Sequence, residues 1–132
     1  MSMRRLRTIE ENGSEIPFRA YVVWLVTIGK VAVALQLLAK YYNVPVPKLK
    51  VGLPRRRRLR TLGCYVPEDE TIYLLNSDAL MNPFVILHEF YHHLRTSVDK
   101  KHRGTENYAN RFAKEFIAAY QSHGPPVSKS PS

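Results

Sequence analysis

At 132 residues, the chain is long enough to bury a hydrophobic core and too short for two ordinary domains. Its single cysteine, Cys64, excludes an internal disulfide framework and a cysteine-rich metal cluster, and it favours a reducing, cytoplasmic location. The 20 Lys and Arg residues against 11 Asp and Glu give a formal charge of +9, which favours nucleic acid, acidic proteins or anionic surfaces without choosing among them.

The N-terminal third of the chain predicts a leader followed by one long helix. Residues 1–15 are polar and charged without a clear period, which is typical of a flexible leader. Pro17 suits the first turn of a helix, and the apolar pattern that follows extends this helix to about Tyr42. Pro45 and Pro47 then block its continuation.

The apolar centre of this helix has nearly the length of a membrane span. Residues 20–39 approach the roughly 20 residues that a bilayer crossing needs, but Lys30 at their centre would cost about 2.5 to 3.5 kcal/mol there. We therefore expect a long core helix and no membrane span. Its apolar residues lie on nearly all sides, a pattern that burial within one chain and a homodimer interface through residues 17–42 both explain.

Three short runs after this helix predict a small sheet. They are KLKV at 48–51, LGCYV at 62–66 and TIYLL at 71–75, all rich in residues that favour strands. The PEDE sequence at 67–70 between the last two runs has the composition of a turn. We therefore expect about three strands in a mostly antiparallel arrangement.

Part of the positive charge is concentrated between the first two strands. A solvated loop explains this RRRRLR sequence as well as a dedicated binding patch does. The alternative partner that it indicates is nucleic acid, bound through Arg55, Arg56, Arg57, Arg58 and Arg60.

Two further helices follow the strands. Asn82 is a suitable N-cap and Pro83 suits the first helical position, so we expect a helix from there to about Thr96. After a charged loop, Thr105 can cap a last helix over residues 106–121, in which apolar residues recur at the spacing of a buried stripe. These residues are Tyr108, Ala109, Phe112, Ala113, Phe116, Ile117 and Tyr120.

These elements predict one α+β domain over residues 16–123. It would contain the long N-terminal helix, the small and mostly antiparallel sheet, and the two C-terminal helices. Glycine and two prolines end the last helix, and residues 124–132 have the composition of a disordered tail.

The sequence HEFYH within the first of these C-terminal helices has the spacing of a metal site. On a helix, His88 and His92 project from one face, close enough for both rings to bind one zinc ion. Glu89 directly follows His88 on the helix, and from this position its carboxylate can act as a general base without binding the metal. A surface helix that merely contains histidines is the alternative, but the neighbouring residues are apolar, and unpaired imidazoles would be costly among them.

A catalytic zinc ion usually takes three protein ligands and leaves a fourth position for water. Glu106 is the candidate third ligand, because it starts the next helix and can close the site if the two helices pack as a hairpin. Asn110 lies one turn further along, where it could bond to a ligand imidazole. Asp99 is a weaker rival in the loop, and His102 is expected to be solvated there.

HEFYH followed by ENYANRFA resembles the gluzincin zinc metallopeptidases, in particular the ImmA/IrrE-like group and the minimal single-domain gluzincins. Their motif pairs H-E-x-x-H with a downstream E-x-x-A-x-x-F-A helix, and the resemblance extends over about residues 31–120. It implies a gluzincin-like catalytic subdomain with Zn²⁺ bound by His88, His92 and Glu106. It also implies that Glu89 is the general base and that Asn110 supports a ligand.

The resemblance further implies a strand that lies along the cleft and pairs with an extended protein or peptide substrate. The corresponding residues are Thr71, Ile72, Tyr73, Leu74 and Leu75. The chain is too short for the second subdomain that stabilises the oxyanion in larger gluzincins, so Tyr91, His93 and Arg111 are candidates by composition alone. If His93 does not stabilise the oxyanion, we expect it at the surface or beside a metal ligand, because it directly follows His92 and points in another direction. Minimal gluzincins can also be latent, with a terminal segment in the cleft.

The sequence therefore indicates a cytoplasmic zinc metallopeptidase that hydrolyses peptide bonds. One alternative is a DNA-associated regulatory protein with a specific protein substrate, which the charge of +9 favours. The other is a non-catalytic zinc-binding domain, although structural zinc sites favour cysteine and this chain has one.

Overall fold

The computed structural model describes residues 2–55, 61–98 and 106–126, and their side chains from Glu15 onward apart from that of Val98. The described elements form an α+β fold of helices around a small three-stranded sheet, as the sequence predicts. In chain order they are α1 (Ser2–Thr27), α2 (Val31–Tyr42), β1 (Lys48–Val51), β2 (Gly63–Val66), β3 (Thr71–Leu74), a short 3-10 helix (Ser77–Met81), α3 (Pro83–Val98) and α4 (Glu106–His123).

The prediction of a single helix over residues 17–42 is wrong, because the chain turns between α1 and α2. Gly29 adopts the left-handed conformation with φ of 85°, which costs a glycine little. The Gly29 amide donates to the Val26 carbonyl at 3.1 Å and the Lys30 amide donates to the Leu25 carbonyl at 2.8 Å. These two bonds form a Schellman motif, which ends α1. Lys30 is thereby placed in an exposed turn.

The start of α1 also differs from the prediction. The helix begins at Ser2, within the segment predicted as a flexible leader, so Pro17 lies in its interior and not in its first turn. A proline at such a position removes one hydrogen bond of the helical ladder. In the described part of the chain, no helix has both the length and the apolar composition of a membrane span.

The sheet has the order β1-β3-β2 and is mixed, not mostly antiparallel. β2 and β3 form an antiparallel hairpin through the turn predicted at 67–70. β1 pairs with the opposite side of β3 in the parallel direction, from Lys48 beside Thr71 to Val51 beside Leu74. The difference arises because β1 pairs with β3 and not with β2, its neighbour in sequence.

The core lies where α1, α2, α3, α4 and one face of the sheet meet. Helix α4 packs against both α1 and α3, and its predicted stripe supplies buried side chains to this core. Tyr108 departs from the stripe, because its side chain is exposed. The centre of its ring lies 5.5 Å from the Arg111 guanidinium. The largest fully buried side chains of the core include Phe90, Phe116, Leu35, Leu38, Ile72 and Leu74.

The start of α3 is capped as predicted. The Asn82 side-chain oxygen accepts a hydrogen bond from the Val85 amide at 3.2 Å, and Pro83 is the first residue of the helix. At the other end of the domain, Gly124 with φ of 81° follows α4, and its amide donates to the Tyr120 carbonyl at 2.8 Å. Of the predicted tail, residues 127–132 lie outside the described part of the chain.

Gly63 allows β2 to lie directly against α3. A Cβ atom at this position would lie 2.9 Å from Val85 Cγ1, 3.2 Å from Leu74 Cδ2 and 3.2 Å from the Tyr73 carbonyl oxygen. Since Val85 is one turn before His88, this close approach sets the distance between the sheet and the helix that carries HEFYH.

We expect Gly63→Ala to lower the free energy of unfolding by about 1 to 3 kcal/mol, because the added methyl group overpacks the contact with α3. Urea denaturation would measure this loss, with Leu62→Ala at the exposed neighbouring position as the control. The double variant Gly63→Ala/Val85→Ala should lose less unfolding free energy than the sum of the losses in the two single variants. Additive losses would show that Val85 is not the obstacle.

Candidate metal centre

The two histidines of HEFYH lie on one face of α3, as their spacing predicts. The His88 and His92 side chains are 14% and 19% exposed, so solvent reaches them although most of their surface is buried. Their Nε2 atoms lie 3.3 Å apart. This face of α3 lies between α4, which packs on one side of it, and β2, which packs on another.

Glu106 joins these histidines from the first turn of α4. Its Oε1 lies 2.9 Å from His88 Nε2 and its Oε2 lies 3.3 Å from His92 Nε2. The carboxylate is 74% exposed. The three residues each offer one donor atom, and these atoms lie within 4.8 Å of one another. The structure therefore brings together the three residues that the sequence predicts as ligands.

Asn110 determines which nitrogen of His88 faces this group. The Asn110 Oδ1 atom accepts a hydrogen bond from His88 Nδ1 at 2.9 Å, so Nδ1 carries the proton. In the neutral ring, Nε2 then presents a lone pair to the Glu106 carboxylate. Two groups that only accept hydrogen bonds repel each other at 2.9 Å unless a cation lies between them. A proton or a metal ion fits this requirement.

The donor spacing fits a tetrahedral metal ion. Ligand atoms at about 2.0 to 2.1 Å from such an ion lie about 3.3 to 3.4 Å from one another. The separations here are 3.3 Å between the two imidazole nitrogens and 2.9 and 3.3 Å from these nitrogens to the Glu106 oxygens. Because Oε1 faces His88 and Oε2 faces His92, the exposed Glu106 side chain must turn to bring one oxygen to an ion shared with both histidines.

Glu89, the second residue of HEFYH, is buried. Its side chain follows His88 by one residue, about 100° round the axis of α3, and the residue is 8% exposed. A carboxylate in such surroundings interacts with a neighbouring proton more strongly than it would in water. The position suits a group that accepts and returns a proton.

His93 is fully buried on another face of α3, so the expectation of a surface position or a position beside a ligand is wrong. Its Nε2–H donates to the Pro45 carbonyl at 2.6 Å, and the Tyr65 hydroxyl donates to its Nδ1 at 2.7 Å. Burial lowers the pKa of His93 and raises the pKa of Tyr65, so both are neutral as this pattern requires. The pair links α3 to β2 and to the segment before β1. Helical periodicity could have indicated this face, but its partners are distant in sequence.

The other oxyanion candidates lie in different surroundings. The exposed Arg111 guanidinium contacts the Tyr108 ring. Tyr91 is nearer to the donor group, with its ring 6.4 Å from that of His92 and 5.3 Å from that of Phe112. Since neither contact shows a donor aimed at a reacting oxygen, the role of Tyr91 stays a prediction.

The substrate strand predicted at Thr71, Ile72, Tyr73, Leu74 and Leu75 is wrong. β3 is the central strand of the sheet, with β1 hydrogen-bonded on one side and β2 on the other. The Leu75 amide also donates to the Leu62 carbonyl, at 2.8 Å. A peptide cannot add to a strand whose two edges are already paired. The edge strand that packs on α3 is β2.

Several residues singled out in the sequence lie outside the described part of the chain. They are Arg56, Arg57, Arg58, Arg60, Asp99, His102 and Thr105. Arg55, the first residue of the arginine run, is described and exposed.

Comparisons of the chain with protein-family models, with curated proteins and with solved structures found no match.

We expect His93→Phe to destabilise the fold by about 1 to 3 kcal/mol, because it leaves the Pro45 carbonyl and the Tyr65 hydroxyl buried without this partner. Denaturant unfolding followed by circular dichroism would measure the change. His123→Phe, at an exposed position in the last turn of α4, is the matched control. Equal stability of the two variants would contradict a structural role for His93.

Proposed function

We propose that the protein is a zinc-dependent metallopeptidase of the gluzincin type. The observation that carries the proposal is the convergence of three donor groups: His88 Nε2 lies 2.9 Å from Glu106 Oε1 and 3.3 Å from His92 Nε2. Two histidines and one glutamate are also the ligand set of well-known zinc peptidases. A cytoplasmic location fits the single cysteine.

A catalytic use of this group is favoured over a structural one. Structural zinc sites are closed by four protein ligands and are usually rich in cysteine. Among the described residues, the group contains three ligands, and no fourth histidine, cysteine or carboxylate joins them. The position between α3, α4 and β2 also gives solvent access to the group.

The chemistry can be assigned to named side chains. Zinc bound by His88, His92 and Glu106 would supply a Lewis acid that acidifies water and polarises a carbonyl group. Glu89 would take the proton from the attacking water and return it to the leaving amine. Asn110 would keep the Nδ1 proton on His88, so that Nε2 faces the group at every turnover.

An extended peptide is the substrate that the neighbouring sheet favours. β2 has β3 on one side and, within the described residues, no strand on the other. A peptide added to this edge would run beside α3, because β2 packs on that helix. This assigns to β2 the role that the sequence attributed to β3.

We expect one zinc ion per chain, measured by elemental analysis, and hydrolysis of casein or fluorogenic peptides that a chelator removes. Glu89→Gln should retain zinc and lower kcat by about 10² to 10⁴, because it removes the general base. Glu115→Gln, at an exposed position on α4, is the matched control. Full activity of Glu89→Gln, or zinc-loaded protein that cleaves no protein or peptide, would refute the proposal.

We expect Asn110→Ala to lower zinc affinity by about 10- to 100-fold, because His88 loses the bond that orients its ring. Competition with a chromophoric chelator would measure this, with Asn107→Ala, on the exposed surface of α4, as the control. Equal affinity in the two variants would show that the bond does not support a ligand.

A DNA-associated regulatory role is the second candidate, favoured by the charge of +9 and by the arginine run. It would use the same site on a specific protein substrate. Salt-dependent binding to duplex DNA would support it, and the absence of binding at low salt would exclude it.

A homodimer through residues 17–42 and latency through a terminal segment stay predictions. Measurement of the mass in solution tests the dimer, and activity gained on trimming either end tests latency.

A further inference from the structure

Arg95 lies on the same face of α3 as the two histidines. It follows His92 by three residues and His88 by seven, and all three belong to one continuous helix. Seven residues at 100° each return to within about 20° of the starting direction. The row of side chains beside α4 and β2 therefore continues from His88 through His92 to Arg95.

One donor of Arg95 is buried and unsatisfied. Its Nε atom is inaccessible to solvent and makes no hydrogen bond in the described part of the chain. A guanidinium keeps its charge at all ordinary pH values, so Arg95 cannot avoid the cost by losing a proton. Buried donors in native proteins are nearly always paired, and an unpaired one calls for an explanation. Because Nε itself is closed to solvent, a ligand from solution would have to contact the terminal nitrogens of the same guanidinium group.

The distance along the helix indicates where such a ligand would lie. Arg95 is about 4.5 Å beyond His92 along the axis and about 10.5 Å beyond His88, at 1.5 Å per residue. An extended peptide advances about 3.3 Å per residue. A group bound at Arg95 would thus be about two residues away from a bond held at the donor group.

We propose that Arg95 binds a carboxylate of the peptide substrate, about two residues from the bond that is cleaved. The guanidinium fork matches a carboxylate in geometry and charge. The inference rests on the proposed peptidase function and specifies its substrate class. The carboxylate has two chemical sources, the C-terminus of a short peptide or an acidic side chain of a longer one.

A purely structural role for Arg95 makes different predictions. The residue lies in the last turn of α3, where a positive charge interacts favourably with the helix dipole. Asp99 is four residues further on, the spacing of a helical ion pair, and lies outside the described residues. In either case, Arg95→Gln would lower stability and leave substrate preference unchanged.

The experiment uses the zinc-loaded full chain and degenerate hexapeptides in four pools. The pools carry a free or an amidated C-terminus, each with or without Asp and Glu, and mass spectrometry locates the cleaved bonds. For peptides with a carboxylate, Arg95→Gln should raise KM by roughly 10- to 100-fold with kcat retained, while fully neutral peptides are unaffected. Arg95→Lys should restore part of the preference, and Lys114→Gln, at an exposed position on α4, controls for loss of charge.

The outcomes separate the inference from the function on which it rests. Preference for a free C-terminus or for an acidic side chain, lost in Arg95→Gln, supports the inference and identifies the source. An unchanged preference in Arg95→Gln overturns it while the peptidase stands, and an equal loss of stability in Asp99→Asn then assigns Arg95 a structural role. If no pool is cleaved, the peptidase proposal fails, and calorimetric titration with glutarate decides the inference. Weaker glutarate binding in Arg95→Gln supports anion binding, and equal binding overturns it.

Discussion

The hydrogen bond between His88 and Asn110 connects the two helices that form the candidate metal centre, and the geometry of the site depends on it. Asn110 contacts the His88 ring at Nδ1, while Glu106, one turn earlier on α4, faces Nε2 of the same ring. His88 and His92 are likewise one turn apart on α3. Because both helices have the same period, one turn of each can face one turn of the other. The small buried residues Ala109 and Ala113 on α4 let helices pack closely.

The rest of the domain holds α3 in place for this contact. The Asn82 cap sets where the helix begins, and His93 links its far side to Tyr65 of β2 and to the Pro45 carbonyl. Gly63 removes the side chain that would separate β2 from α3. The helix is thus supported from one side by the sheet and from another by α4. The face that carries His88, His92 and Arg95 lies between these supports, which is where the peptide of the proposed reaction would bind.

The elements that the sequence predicted well depend on local signals. The start of α3 follows from Asn82 and Pro83, whose capping chemistry acts within one turn. The grouping of His88, His92 and Glu106 follows from helical spacing and from one assumption, that two helices joined by a short loop pack as a hairpin. The turn between α1 and α2 also had a local signal in Gly29, but the apolar pattern continues across it, and a glycine alone does not end a helix.

The amino-acid sequence by itself determined the α+β class and the placement of two imidazoles on one face of a helix, because backbone periodicity and capping act over a few residues. It also indicated Glu106 as the carboxylate that meets them, but this contact further requires α3 and α4 to pack together. Tertiary structure alone decided that β3 is central, that β2 has an unpaired edge beside α3 within the described residues, and that His93 pairs with Tyr65 and Pro45. These features depend on which distant segments pack together, and many partners satisfy the same local pattern. The choice among them is made by burial and hydrogen bonding of the whole chain.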